Sequence, residues 1–179
     1  MKKIISAAIL MACMTTAFGE KTKSNATYFK VFVLNEQNQL LMVNFKGSWE
    51  PIGGTYASEL TIEDAVKELV GKSRVQCGEI RLRGLFSVYY SNKGGLPYAY
   101  HYYTVRHTGG EVIPPSDCED AAWFSPEEVM DKIAFKDMGR VFEQIQGNDH
   151  LWSGSWIITK NRETKERTIE IKKDFFILN

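Results

Sequence analysis

The chain has 179 residues, a length that fits one domain with at most a short extension. Its 44% hydrophobic and 25% charged residues are typical of a soluble globular domain and exclude disorder, collagen-like repeats or coiled coil as the main state. Lys plus Arg and Asp plus Glu each number 22, so the net charge is zero, and we expect no nucleic-acid partner because phosphate backbones select basic proteins. Three cysteines without a CxxC spacing argue against a cysteine-based zinc site.

The first nineteen residues have the pattern of a secretory signal peptide. Lys2 and Lys3 precede an uncharged, mostly apolar stretch over residues 4–19, and small residues favour cleavage before Glu20. A membrane span needs about 20 apolar residues, and this stretch is shorter and contains serine and threonine. Cleavage removes two lysines and no acid, which lowers the net charge from zero to −2. We therefore expect a periplasmic or secreted bacterial protein.

Two other interpretations of this segment stay open. Residues 10–13, Leu-Met-Ala-Cys, resemble a bacterial lipobox, and lipidation at Cys13 is the one route by which we expect membrane association. A buried N-terminal helix is the other. The predicted organisation is a signal peptide over 1–19, a domain over 28–150 and a C-terminal hairpin extension over 151–179.

The mature chain opens with a hairpin pattern. Residues 28–34 and 39–43 are predicted strands joined by polar residues. Residues 46–58 are rich in glycine and small residues, which predicts a loop. Thr61 has the character of an N-cap followed by two acids, so a helix is predicted from there to about Gly71.

The second half alternates irregularly between the two element types. Strands are predicted over 79–90, 98–106 and 121–124, the first two joined by a glycine-containing turn. Ser125, followed by proline and two glutamates, predicts a helix start, and a further helix is expected over 136–146. This mixture predicts an α+β fold, a mixed-sheet sandwich with flanking helices.

The C-terminal extension is predicted as a long hairpin, with strands over 155–160 and 167–178. Its aromatic residues could dock it onto the domain or onto a second subunit. A homodimer through this hairpin is a hypothesis motivated by its exposed edge strand. After export, Cys77 and Cys118 lie where a disulfide could persist, and two free thiols are the alternative.

Two segments resemble the Nudix family. Trp49-Glu-Pro-Ile-Gly53-Gly54, followed by Glu59 and the run Lys67-Glu68-Leu69, resembles a Nudix box; the spacing from Gly53 is G-x5-E-x7-K-E-L-x-G-K, against the family's G-x5-E-x7-R-E-U-x-E-E, where U is aliphatic. Residues 121–128 resemble the strand-to-helix turn that follows the box. The resemblance covers residues 28–146 and implies a Nudix-like fold. Aligning the Gly-Gly pair directly puts Gly54 at the box glycine instead, without changing the matches at Glu59 and Glu68.

The resemblance implies a pyrophosphohydrolase that acts on nucleoside diphosphates linked to another group. In an intact box, glutamates three or four residues apart share one helix face and hold Mg²⁺ or Mn²⁺ against the diphosphate. The metal neutralises phosphate oxygens and activates water. Carried over to this chain, the resemblance implies Gly53 and Gly54 in substrate binding and Glu59, Glu68 and Glu119 in catalysis.

The box departs from the family pattern at its chemical centre. Gly71 and Lys72 stand where the next two glutamates are expected, a change of +3 in local charge. Lys67 replaces an arginine and lacks its planar fork. Because Mg²⁺ and Mn²⁺ need several oxygen ligands, we expect severely weakened metal binding.

Substitute ligands are conceivable. Asp64 lies four residues before Glu68, on the same helical face, so a metal set of Glu59, Asp64 and Glu68, with Glu119 nearby, could form. The alternative is that Asp64 serves the helix N-terminus and that Glu68 pairs with Lys72.

Aromatic and basic strand residues supply a candidate ligand surface. Tyr100 and Tyr102 lie on one strand face and could stack on a nucleobase, although packing across the sheet is the commoner use of such rings. Arg83 and Arg81 could contact a phosphate or face solvent beside Glu79.

The preferred interpretation is therefore an exported Nudix-fold protein with a degenerate metal site, catalytically weak or inactive, that binds a small nucleotide-like ligand or a protein partner. One alternative is an active Mg²⁺-dependent pyrophosphohydrolase that uses substitute acids. Another is a scaffold module of the cell envelope, because a fold does not specify a function.

Overall fold

The computed structural model describes residues 26–57, 59–91, 96–161, 163–164 and 166–178. The strands are β1 (Thr27–Leu34), β2 (Leu40–Phe45), β3 (Ser48–Tyr56), β4 (Gln76–Tyr90), β5 (Pro97–Gly109), β6 (Asp120–Phe124), β7 (Trp152–Lys160) and β8 (Arg167–Ile177). The helices are α1 (Ile62–Gly71), α2 (Pro126–Lys132) and α3 (Lys136–Gln146). The predicted signal peptide and Cys13 lie outside the described residues.

The strands form one mixed sheet in the order β6-β2-β3-β1-β5-β4-β7-β8. The β1–β5 and β4–β7 pairs are parallel and the other neighbours are antiparallel. The α+β prediction is confirmed. None of the described helices is long and apolar enough to cross a membrane.

Helices cover both faces of the sheet, because the central strand β1 is apolar on both. Phe29, Val31 and Val33 point to one face, where they pack with the buried side of α1. Phe32 points to the other face and packs with residues of α2 and α3. The two cores give the expected sandwich of helix, sheet and helix.

The predicted loop over residues 46–58 is wrong, because most of it forms β3. The first half of β3 pairs with β2 as far as Pro51, and the second half pairs with β1 from Ile52 onward. The proline, which cannot donate a ladder hydrogen bond, therefore lies where the strand changes its partner. Glycine-rich local sequence favours a loop, but pairing on both sides makes this segment a strand.

Helix starts follow the sequence prediction closely. The Thr61 hydroxyl accepts a hydrogen bond from the Asp64 backbone N–H and caps α1. Ser125 and Glu128 form a reciprocal capping box at α2, with Pro126 in the first turn. α1 ends at Gly71, as predicted.

The C-terminal hairpin continues the same sheet. β7 pairs in parallel with β4 from Gly84 to Tyr90, and β8 pairs with β7. Trp156 is 1% exposed and stacks on Phe86 with ring centroids 4.8 Å apart. Trp156 therefore docks the hairpin onto its own domain, and a homodimer through the hairpin stays a prediction.

Both described cysteines, Cys77 and Cys118, are free thiols and partly buried. Burial raises the pKa of Cys118 to about 11, so its thiol stays protonated at neutral pH. Of the two alternatives for this pair, the structure has the free thiols.

Candidate functional site

The pair Gly53-Gly54 of the box resemblance, called the glycine turn below, lies inside β3, against β1. Gly53 faces Lys30, and a Cβ atom at Gly53 would lie 2.6 Å from Lys30 Cδ and 2.6 Å from the Phe29 carbonyl oxygen. Because contacts under 3.0 Å are not tolerated, only glycine lets the two strands approach this closely.

An ion pair that the sequence analysis missed lies beside this glycine. Lys30 Nζ is 2.7 Å from Glu50 Oε2, and the two side chains are 11% and 17% exposed. Moving both charges out of most of the water is costly, and the cost is offset only because each charge pairs with the other. One signal was available, since Lys30 is a charged residue within the apolar run Tyr28–Leu34.

The acidic side chains at the start of α1 are hydrogen-bonded to neighbouring residues of the same helix or its cap. The Thr61 hydroxyl donates to Asp64 Oδ2 at 2.7 Å, so this carboxylate belongs to the helix cap. Glu63 Oε1 is 2.5 Å from Lys67 Nζ, and this hydrogen bond raises the pKa of Lys67. The interpretation in which Asp64 serves the helix N-terminus agrees with this geometry.

The remaining positions of the box face water. Glu68 and Gly71 in α1 and Lys72, the residue that caps its C-terminus, are all exposed. The ion pairs of the described residues do not include Glu68 with Lys72, so that alternative is not formed. Glu68 therefore contributes one solvated carboxylate.

The other predicted acids do not complete a ligand set with Glu68. Glu59 lies in the turn before α1 and is exposed. Glu119 is exposed before β6, where its backbone N–H donates to the Asn44 carbonyl at 2.8 Å. Across the part of the chain that the structure describes, no three His, Cys, Asp or Glu side chains are grouped so that they could hold a metal.

The predicted stacking surface is a packed core. Tyr100 and Tyr102 are 6% and 1% exposed, so neither ring offers an open face to a ligand. Tyr28 stacks on Tyr100 with centroids 5.2 Å apart, and the hydroxyls of Tyr90 and Tyr100 are hydrogen-bonded at 2.7 Å. Burial raises the pKa of Tyr102 well above its usual value. The commoner interpretation, packing across the sheet, describes both residues.

Arg83 neither faces solvent nor offers donors to a phosphate, which corrects both interpretations of this residue. Its guanidinium is buried and donates to the carbonyls of Ile145, Asn148 and His150 in the segment that follows α3. Burial also lowers its pKa. Arg83 therefore joins β4 to the end of α3, a long-range role that local sequence does not indicate.

A second buried polar group lies at the start of α3. Asp137 is 6% exposed, and burial raises the pKa of its carboxyl. Arg167 of β8 lies 3.7 Å from it and also covers the Phe135 ring, at 4.1 Å from the ring centroid. This contact ties the C-terminal hairpin to the helical layer.

Solved structures with the same fold include several hydrolases. A mutator MutT protein from Bacillus halodurans is 18% identical, with a TM-score of 0.66 and coverage of 82% of this chain and 97% of that one. An ADP-ribose pyrophosphatase from Streptococcus suis 89-1591 is 15% identical, with a TM-score of 0.56 and coverage of 74% and 99%. A NUDIX hydrolase from Nitrosomonas europaea is 13% identical, with a TM-score of 0.60 and coverage of 70% and 91%.

At these identities the structural matches establish the fold alone. No curated protein matches the chain. The sequence pattern of the NUDIX domain, however, matches residues 25–145, which is more than half of the chain and includes the glycine turn, α1 and the turn into α2. The chain therefore belongs to the NUDIX domain family.

Proposed function

We propose that this Nudix-fold protein does not hold a catalytic divalent metal at its box and is a binding protein with weak or no hydrolase activity. The observation that carries the proposal is the composition of the exposed face of α1. Glu68 is followed by the exposed residue Gly71 and by Lys72 at the C-terminal cap, and the described acids form no metal-holding group. Nudix proteins generally use a divalent metal such as Mg²⁺, and the residues present here do not fit one.

The small negative charge at the box explains why its residues do not fit a divalent metal. Mg²⁺ and Mn²⁺ are hard cations that require oxygen ligands, and carboxylates supply most of the attraction at such sites. One exposed glutamate binds such a cation weakly, because water competes for both charges. The Lys72 ammonium group, four residues after Glu68 at the C-terminal cap of α1, adds repulsion.

The neighbouring ion pair strengthens this proposal. The carboxylate nearest in sequence to the glycine turn is Glu50, and it is already neutralised by Lys30 at 2.7 Å. Recruiting Glu50 as a metal ligand would leave the Lys30 ammonium largely buried without a partner, which is strongly unfavourable. The substitute ligand set is therefore restricted to exposed, separated acids.

The ligand we propose is a small nucleotide-like molecule, with a protein partner as the other possibility. The support is the fold itself, which recurs in an ADP-ribose pyrophosphatase. Without a metal to neutralise a diphosphate, affinity would come from contacts to the rest of the ligand.

An active hydrolase is the second candidate, favoured by the retention of Glu68 at the first glutamate of the motif. In that case Glu59, Asp64 or Glu119 would move to join Glu68 around Mg²⁺ or Mn²⁺. Asp64 would have to leave the Thr61 hydroxyl, which weakens the cap of α1.

The deciding experiment restores the missing acids. A double variant, Gly71→Glu with Lys72→Glu, rebuilds the family pattern, and a Cβ at Gly71 meets nothing within 4 Å. We expect calorimetry to show no Mn²⁺ binding by the wild-type protein at millimolar metal and clear binding by the double variant.

The matched control is a double variant with the same change in net charge at positions outside the box. Gly147 also has open space around a Cβ, so Lys132→Glu with Gly147→Glu adds the same negative charge away from the box. This control should not gain metal binding. Wild-type release of AMP from ADP-ribose with Mg²⁺, abolished by Glu68→Gln, would overturn the proposal and establish the second candidate.

A further inference from the structure

A concave site separate from the glycine turn lies toward the C-terminal end of β1. It is a cavity of about 630 Å³ between the ends of β1, β4 and β5 and the segment after α3. β1 contacts the glycine turn through Lys30 and Phe29, near its start, whereas it lines the cavity through Phe32 and Leu34, near its end. None of the predicted box acids lines the cavity.

The cavity combines apolar and cationic walls. Phe32, Leu34 and Phe142 supply apolar surface, and Arg81, Arg83 and Arg106 are the basic groups. The size lies within the range of small-molecule sites, which are mostly apolar with a few convergent polar groups.

The three guanidinium groups face only two carboxylates. Asp149 Oδ1 lies 3.6 Å from Arg81 Nη1 and 3.4 Å from Arg83 Nη1, and Glu79 Oε1 lies 2.7 Å from Arg81 Nε. Within the described chain, Arg106 forms no ion pair, although it lies close enough to Glu79 to help Arg81 lower the pKa of that carboxyl. The three arginines and two carboxylates therefore leave the cavity with one net positive charge.

The Arg106 guanidinium is held in place by neutral contacts. Arg106 Nη1 donates to Asn38 Oδ1 at 2.9 Å and to the Asn35 carbonyl at 3.4 Å. The turn that carries these acceptors is itself braced, because the Asn35 and Gln39 side chains are hydrogen-bonded at 2.8 Å. With Nη1 used, Arg106 keeps its Nε and Nη2 donors without a partner among the described residues. A prepositioned guanidinium of this kind is suited to an incoming oxyanion.

We propose that this cavity binds a small amphipathic organic anion, with one carboxylate or phosphate group on Arg106 and an apolar body against Phe32, Leu34 and Phe142. Arg81 lies on the same rim and adds attraction, although Glu79 neutralises part of its charge. Arg83 positions the wall, since its donors are taken by the segment after α3. The site is separate from the box, so it stands whether or not the box binds metal.

The test uses aromatic probes of matched size in calorimetric titrations of the mature chain. The probes are 1-naphthoate, 1-naphthyl phosphate and the neutral 1-naphthalenemethanol. We expect at least one of the anions to bind and the neutral probe to bind about ten-fold more weakly or worse. The two anions separate a carboxylate site from a phosphate site. Absence of binding by both, or equal binding of the neutral probe, would overturn the proposal.

Variants locate the binding. Arg106→Gln should weaken anion binding by about ten-fold or more, since one charge-assisted contact is lost. Arg140→Gln removes the same charge from an exposed residue outside the cavity and should leave affinity unchanged. Equal weakening by both variants would show non-specific attraction and refute the site.

A second variant controls for the possibility that Arg106→Gln weakens binding by disturbing the fold. Thr104 also lines the cavity, and Thr104→Trp fills the space while retaining all three arginines. We expect it to abolish probe binding with a cooperative thermal transition intact. Binding that survives in a folded Thr104→Trp protein places the probe elsewhere and overturns the proposal.

Discussion

The glycine turn offers a sharp test of the packing argument, because Gly53→Ala adds one methyl group at a position without room. The new Cβ would lie 2.6 Å from the Phe29 carbonyl oxygen, which is backbone in the central strand and cannot turn away. It would also lie 2.6 Å from Lys30 Cδ, which can move only by disturbing the ion pair with Glu50. The two strands must therefore separate locally.

Inserting a methyl group into a packed site destabilises by about 1–3 kcal/mol. With a urea m-value of about 2 kcal/mol per molar for a protein of this size, a loss of about 2 kcal/mol lowers the unfolding midpoint by about 1 M. Gly71→Ala is the matched control, because its Cβ meets nothing within 4 Å. In a helix that substitution is stabilising by up to about 1 kcal/mol.

The assay is equilibrium urea unfolding of both variants, followed by tryptophan fluorescence and circular dichroism. The same substitution in a Lys30→Ala protein separates the two contacts. In Lys30→Ala protein the flexible neighbour is gone and the backbone neighbour remains, so Gly53→Ala should still destabilise. A Gly53→Ala protein with the stability of wild type, or a full rescue by Lys30→Ala, would refute the claim that the β1 backbone excludes a side chain here.

Three further predictions concern other parts of the chain. The raised pKa of Asp137 means that the folded state binds its proton more tightly than the unfolded chain, whose pKa is near 3.8, so stability should fall as pH rises from there through the folded pKa. Asp137→Asn should remove that component from a urea-midpoint profile against pH, and an unchanged profile would contradict the assignment. Trp156→Ala should destabilise by about 3–5 kcal/mol because the ring is fully buried, whereas Ile171→Ala, 42% exposed, should change stability by less than about 1 kcal/mol; similar urea midpoints for the two variants would show that the hairpin is not part of the core. Mass spectrometry of the protein recovered from bacterial cells should show an N-terminus at Glu20, or a lipidated Cys13 if the lipobox is used, and an intact Met1 would exclude export by cleavage.

Local chemistry was sufficient for much of the architecture. The helix starts at Thr61 and at Ser125 depend on capping groups within three residues, so the sequence alone identifies them. The strands β1 and β2 follow from two apolar runs around a polar turn, but they pair directly only at Leu34 and Leu40, because β3 lies between them in the sheet. The spacing around Gly53 and Glu68 likewise carried the family resemblance without any structure.

Tertiary contacts decided the features whose partners are distant in sequence. β3 is a strand because β1 and β2 pair with it, although its own residues favour a loop. The pairing of Lys30 with Glu50, and of Arg83 with carbonyls more than sixty residues away, depends on which strands and helices become neighbours. Burial of Tyr102 has the same origin, since an alternating strand pattern does not say which face a helix will cover. Residue type and spacing thus determined most of the elements and the charge of the box, and the three-dimensional packing determined which of those charges are free to meet a ligand.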